Sequence, residues 1–323
     1  MSTTSPGLLE RLAAGTVICA EGYLFELERR GYVQAGAFVP EVVLDRPEAV
    51  RELHIEFVRA GSDVVEAFTY YAHREKLRVI GREGILEDLN RQALEIAKGV
   101  AATTGTLFAG NICNTNVYEA DDPATHRAVR AMYEEQVGWA VEAGVDFIIA
   151  ETIDWHGEAD LALETIKAAG LPGVVTVSPH RDRYLFDGVD IVEACRMLAA
   201  QGADVVGLNC QRGPATMMPL IREIRQAVTG NIAALPVPYR TTPAEPTFQA
   251  LTEKTDAPVP GGRPFPTALD PFAATRYECA AFAAEADAIG VNYIGLCCGA
   301  GPHQIRSVAE QLGRRPVASR YSP

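Results

Sequence analysis

Four short segments of this chain begin alike, and their likeness restricts the fold more than any other feature. They are Gly61-Ser62-Asp63-Val64-Val65, Gly144-Val145-Asp146-Phe147-Ile148, Gly202-Ala203-Asp204-Val205-Val206 and Gly290-Val291-Asn292-Tyr293-Ile294. Each follows a stretch of helical periodicity and opens an apolar run. Glycine stops a helix in the left-handed conformation, and Asp or Asn is a turn residue ahead of a strand. A helix that ends this way and feeds a short, fully apolar strand marks a parallel α/β fold, whose strands are buried on both faces.

The segments fall within a longer alternation. Apolar runs at Val17–Gly22, Val64–Ala72, Leu107–Asn114, Phe147–Ile153, Val174–Pro179, Val205–Cys210, Ile232–Pro238 and Tyr293–Gly299 read as strands. Helical stretches separate them; in His126–Ala143, Val129, Met132, Tyr133, Val137 and Ala140 share one face. Eight strand–helix units predict one (β/α)8 TIM-type barrel over residues 1–323. The four like junctions then precede the even-numbered strands. Seven residues beyond each glycine stand Phe68, Glu151, Asn209 and Cys297, and one step further Thr69, Thr152, Cys210 and Cys298. Equivalent positions place these residues at similar height near the carboxyl ends of the strands, where such folds keep their chemistry. Glu151 and three cysteines are thereby expected at one mouth. The Pro- and Gly-dense stretch Tyr239–Asp270 is expected to be a lid or binding loop.

Composition narrows the function. A net charge of −13 without a basic block argues against nucleic acid and anionic membrane surfaces. No run of about eighteen apolar residues is present, and residues 1–6 lack a signal-peptide pattern, so a cytoplasmic location is expected. Seven cysteines without framework spacing point to reduced thiols or metal ligands. Cys19, Cys195 and Cys279 read as small buried hydrophobes; Cys113 ends the third strand without an evident partner. Cys210, Cys297 and Cys298 could form a trigonal thiolate set for Zn2+ with a fourth position open, and this outweighs inert burial. Adjacent strand residues point to opposite faces, so Cys297 and Cys298 can both ligate only where the strand bends, which Gly299 permits.

Glu151 follows a fully apolar run, where a carboxylate is costly unless paired. Its partner is either a basic side chain across the barrel or the ammonium group of a substrate. Phe38, Phe68, Tyr70 and Tyr71 are either plain packing or a cation–π cage for a quaternary ammonium or sulfonium methyl donor. The six histidines show no metal-ligand spacing, and no phosphate-binding glycine loop occurs.

With these residues in view, the chain resembles the homocysteine S-methyltransferase family, and most of all its betaine-using members. The likeness runs through Gly7-Leu-Leu-Glu-Arg-Leu, Leu27-Glu-Arg-Arg-Gly-Tyr, Pro47-Glu-Ala-Val-Arg-Glu-Leu-His, Gly207-Leu-Asn-Cys, Ala274-Thr-Arg-Tyr and Tyr293-Ile-Gly-Leu-Cys-Cys-Gly. It implies zinc held by Cys210, Cys297 and Cys298, and a homocysteine amino group held by Glu151. It further implies a donor cage at Tyr71 and Phe38, with Phe38 in place of a tryptophan. Glu21, Gly22, Thr152 and Asn209 complete the expected substrate-binding set. The chain departs from the family at Ala20-Glu21-Gly22, which replaces an Asp-Gly pair, and at Thr152, which replaces an aromatic residue. It also ends at Pro323, without the dimerisation arm of the animal betaine enzymes. The implied activity is transfer of a methyl group from a betaine-like onium donor to the thiol of homocysteine. S-methylmethionine as donor, a separate corrinoid protein as partner, and a non-catalytic zinc-containing binding protein are the alternatives. Small-molecule substrates are the expected partners, and the sequence is compatible with a monomer or a homo-oligomer.

Overall fold

The structure is a computed structural model that describes residues 6–253 and 262–321. Its strands are β1 (Val17–Ala20), β2 (Val64–Glu66), β3 (Leu107–Cys113), β4 (Phe147–Ile153), β5 (Gly173–Val177), β6 (Val205–Asn209), β7 (Asn231–Leu235) and β8 (Tyr293–Leu296). All neighbours pair in parallel, in the order β1-β8-β7-β6-β5-β4-β3-β2. The seam between β1 and β2 is joined just below them. The Asp63 N–H donates to the Ile18 carbonyl at 2.8 Å, and the Ile18 N–H returns a bond of 2.8 Å to Asp63 Oδ2. The predicted (β/α)8 barrel is the fold of this chain, with helices outside and the strands buried except for half-buried Asn231 at the start of β7. Helix Pro123–Ala143 buries the predicted face of Val129, Met132, Tyr133, Val137 and Ala140.

The repeated junctions do more than turn the chain. Their glycines all take positive φ: +114° at Gly61, +79° at Gly144, +96° at Gly202 and +82° at Gly290. The following acid or amide then accepts a backbone N–H of the preceding odd strand. Asp146 Oδ2 takes Phe108 N–H at 2.7 Å, Asp204 Oδ2 takes Gly173 N–H at 2.9 Å, and Asn292 Oδ1 takes Ile232 N–H at 3.2 Å. With Asp63 on Ile18, every even strand is stitched to its odd predecessor at the amino rim of the barrel.

Several strands stop short of the apolar runs that predict them. β2 ends at Glu66 instead of Ala72, β1 at Ala20 instead of Gly22, and β8 at Leu296 instead of Gly299. Parallel pairing of β2 with β3 ceases at Glu66–Ala109. Beyond it the chain folds on itself, the Thr69 N–H donating to the Ala67 carbonyl at 2.7 Å, and Tyr71 adopts φ +60°. Of this segment Ala67, Phe68 and Tyr70 line a cavity at the mouth rather than extend the sheet. In the 239–270 loop, residues 254–261 lie outside the described residues. The described part buries Phe248 against Tyr239, Phe25 and Phe265, with ring centroids 5.9, 5.8 and 5.0 Å away. Among the described residues no helix is long and apolar enough to cross a membrane.

Candidate active site at the carboxyl rim

Three strands bring the cysteines together. Cys210 follows β6 directly, and Cys297 and Cys298 follow β8. Between them, the end of β7 supplies consecutive carbonyls: Leu235 accepts the Cys210 N–H at 2.9 Å and Pro236 accepts the Cys297 N–H at 3.0 Å. Cys210 holds φ +59°, which turns its side chain out of the strand alternation. Gly299 provides the bend after the cysteine pair at φ +92°, and a Cβ there would meet Tyr239 Oη at 2.2 Å. The three sulfurs lie within 4.8 Å of one another, all buried, and Cys297 Sγ is 3.9 Å from Cys298 Sγ. S–H groups of Cys297 and Cys298 directed at Cys210 hold its thiol well below the ordinary value. Burial pushes the Cys297 thiol up, and donation to Cys210 pushes up that of Cys298.

Beside the sulfurs stand three buried carboxylates from three strands: Glu21 after β1, Glu66 ending β2 and Glu151 in β4, with exposures of 6%, 2% and 4%. Two amides tie them together. Asn111 of β3 donates through Nδ2 to Glu66 Oε1 at 2.5 Å and to Glu151 Oε1 at 2.8 Å. Asn209 donates through Nδ2 to Glu151 Oε2 at 2.8 Å and lies 3.5 Å from Glu21 Oε2. Asn209 is itself fixed, its Oδ1 accepting the Thr152 N–H at 2.8 Å and the Thr176 hydroxyl at 2.9 Å. Thr152 sits at φ +56°, matching Cys210 at the equivalent place in the repeat. Its hydroxyl accepts from Asn209 at 2.8 Å and donates to Glu151 Oε2 at 3.3 Å. Among the described residues no basic side chain pairs with Glu151; its partners are Asn111, Asn209 and Thr152. Burial pushes the Glu151 carboxyl up to about 8 and raises Glu21 and Glu66 well above the carboxylate range.

A cavity opens onto this cluster, lined on its polar side by Glu21, Glu66, Asn111, Glu151, Cys297 and Cys298. Tyr23, Leu24, Phe68 and Tyr70 form much of its apolar side. Tyr71 and Phe38 are not among the lining residues. The Tyr71 ring packs 4.3 Å from Tyr70 and lies under Lys76, whose Nζ is 3.9 Å from the ring centroid. Phe38, at φ +53°, stacks on Phe25 at 5.7 Å. Gly22 lies where a Cβ would be 2.1 Å from the Ala300 carbonyl oxygen, so its lack of a side chain lets the loops after β1 and β8 touch. Glu66 and Asn111 escape the sequence reading. The available signal was a lone polar residue within each of two apolar strands, Val64–Glu66 and Leu107–Cys113, which in a strand buried on both faces demands a partner inside the barrel.

Residues 17–312 match the family model described as homocysteine S-methyltransferase. Betaine–homocysteine S-methyltransferase 1 of Bos taurus is 36% identical over 330 residues, covering 97% of this chain and 77% of the relative. The S-methylmethionine–homocysteine S-methyltransferase of Pongo abelii is 35% identical over 317 residues, covering 95% and 81%. The metallated homocysteine methyltransferase MmuM of Escherichia coli shares the fold with a TM-score of 0.70 at 18% identity, over 91% of this chain and 95% of that one. Cysteine cluster, barrel and sequence likeness converge: the chain belongs to the homocysteine S-methyltransferase family.

Proposed function

We propose that this enzyme methylates the thiol of homocysteine, using an onium methyl donor and zinc held by Cys210, Cys297 and Cys298. The observation that carries this reading is the convergence of three buried sulfurs within 4.8 Å, two of which, those of Cys297 and Cys298, belong to residues lining a cavity that Glu151 also lines. The donor set fits the ion: three thiols, one already low, make a soft trigonal site of the kind zinc takes in catalytic centres. Zinc bound there would accept the substrate sulfur as a fourth ligand and keep it deprotonated at neutral pH.

The chain's own residues do the rest. Glu151, held from both sides by Asn111 and Asn209, is aimed to receive the ammonium of homocysteine. Asn209 also lies 3.7 Å from Cys297 Sγ, so the amide that orients Glu151 also touches the thiolate set. In the transfer the homocysteine sulfur, its proton lost to solvent, forms a bond to the methyl carbon. The bond from that carbon to the donor's onium atom breaks, and its electron pair returns to the donor. Opposite charges vanish, so the apolar wall of Phe68, Tyr23 and Tyr70 favours the transition state over the separated ions. Holding both substrates together contributes up to roughly 7–11 kcal/mol of the barrier.

The test combines metal analysis with turnover. Purified enzyme should carry one zinc per chain and form methionine from homocysteine and an onium donor without any corrinoid protein. A requirement for an added corrinoid protein would favour the subunit reading. Zinc and ligand binding without methionine from any donor would favour the binding-protein reading.

A further inference from the structure

Proposed catalysis uses Glu151 and the sulfurs, yet the same cavity contains two more carboxylates: Glu21, expected to bind substrate in a way the sequence left open, and Glu66, which the sequence reading missed. Glu21 and Glu66 have ligand oxygens within 4.8 Å of each other, in a group with Cys19. Glu21 also lies within 4.8 Å of Glu151 and Cys297, so the pair adjoins the reacting end of the cavity. Among the described residues neither forms an ion pair. Three buried acceptor atoms here lack a hydrogen-bond partner: Glu21 Oε1, Glu66 Oε2 and Asn111 Oδ1. All three side chains line the cavity and are at most 6% exposed. Unpaired acceptors at this depth are costly unless a ligand completes them.

Their number describes that ligand. A primary ammonium has three N–H donors, matching three free acceptors, whereas a trimethylammonium group has none. A sulfonium α-amino acid carries such an ammonium besides its onium sulfur and its carboxylate; a quaternary ammonium betaine carries an onium nitrogen and a carboxylate but no N–H donor. From this we infer that Glu21, Glu66 and Asn111 form a subsite for the primary ammonium of the methyl donor, selecting a sulfonium α-amino acid over a quaternary ammonium betaine. The inference rests on the methyl transfer proposed above. In that step the sulfonium S–CH3 bond breaks, its electron pair stays on the donor sulfur as a neutral thioether, and the ammonium remains in the subsite unchanged.

The experiment uses the zinc-loaded enzyme with homocysteine and three donors: S-methylmethionine, its des-amino analogue (3-carboxypropyl)dimethylsulfonium, and glycine betaine. Donor binding is measured in parallel by calorimetry. S-methylmethionine should exceed the analogue in kcat/KM and in affinity by roughly tenfold to hundredfold. Glu66→Gln should erase most of that advantage, in kcat/KM and in calorimetric affinity alike. Glu21→Gln, which alters the other half of the pair, should do the same and decides the test where Glu66→Gln folds poorly. Equal use of the analogue or of betaine overturns the subsite while leaving methyl transfer intact. So does a Glu66→Gln effect confined to the KM for homocysteine. Methionine from none of the donors refutes methyl transfer, and the calorimetric comparison then still decides whether binding depends on the ammonium.

Discussion

The two rims of this barrel use acidic residues in opposite ways. At the amino rim, Asp63, Asp146 and Asp204 each accept a neighbouring strand's N–H at 2.7–2.9 Å, and the rim is closed by these bonds. At the carboxyl rim, Glu21, Glu66 and Glu151 are deeply buried, held by amides, and have no basic partner among the described residues. One rim spends its acids on strand pairing; the other keeps them short of partners. The difference teaches that position along the strand, not residue type, separates stability from chemistry in this fold.

The sharpest separation comes from the sulfurs. Cys210→Ala, Cys297→Ala or Cys298→Ala should each abolish stoichiometric zinc and lower turnover by about a thousandfold or more. Retention of one zinc per chain in all three would remove the metal site from the carboxyl rim. Next comes Glu151→Gln, expected to raise the KM for homocysteine by roughly tenfold to hundredfold. This substitution should also stabilise the zinc-free, ligand-free fold at high pH. The Glu151 carboxyl is raised to about 8 by burial, so its contribution is present below the unfolded value of about 4.3 and is lost as pH rises toward 8. Urea midpoints of the two proteins should therefore diverge between these limits, with a slope of at most about 1.4 kcal/mol per pH unit.

The amino rim predicts the reverse pattern. Asp146→Ala should cost about 1.5–3 kcal/mol in denaturant unfolding, with zinc content and KM unchanged. The smallest effect is expected at Asn292→Ala, where a neutral acceptor at a longer 3.2 Å is replaced, costing about 0.5–1.5 kcal/mol. A loss of zinc in either variant would break the division between the rims.

The repeat made much of this legible, because Gly-x-Asp/Asn junctions give strand register, and register gives height. Counting from the glycines brings Glu151, Asn209, Cys210, Cys297 and Cys298 to one rim from the sequence alone. Strand length was less legible: apolarity continues past Glu66, whereas pairing with β3 does not. The aromatic wall was obscured for a different reason. Alternation assumes strand geometry, and Tyr71 at φ +60° leaves it, so that Tyr70 lines the cavity and Tyr71 packs beneath Lys76. Left-handed conformations at non-glycine residues carry no sequence signature of their own.

The backbone clamp at the end of β7 has a thermodynamic consequence. Leu235 and Pro236 grip the amides of Cys210 and Cys297 through main-chain bonds that owe nothing to an ion. In a zinc finger, metal affinity and folding are one equilibrium. Here the strands set the thiols in place on their own, so taking up the metal should bury little new apolar surface. Calorimetric zinc titration should accordingly show a heat-capacity change near zero, the signature of a rigid receptacle rather than a fold assembled around its ion.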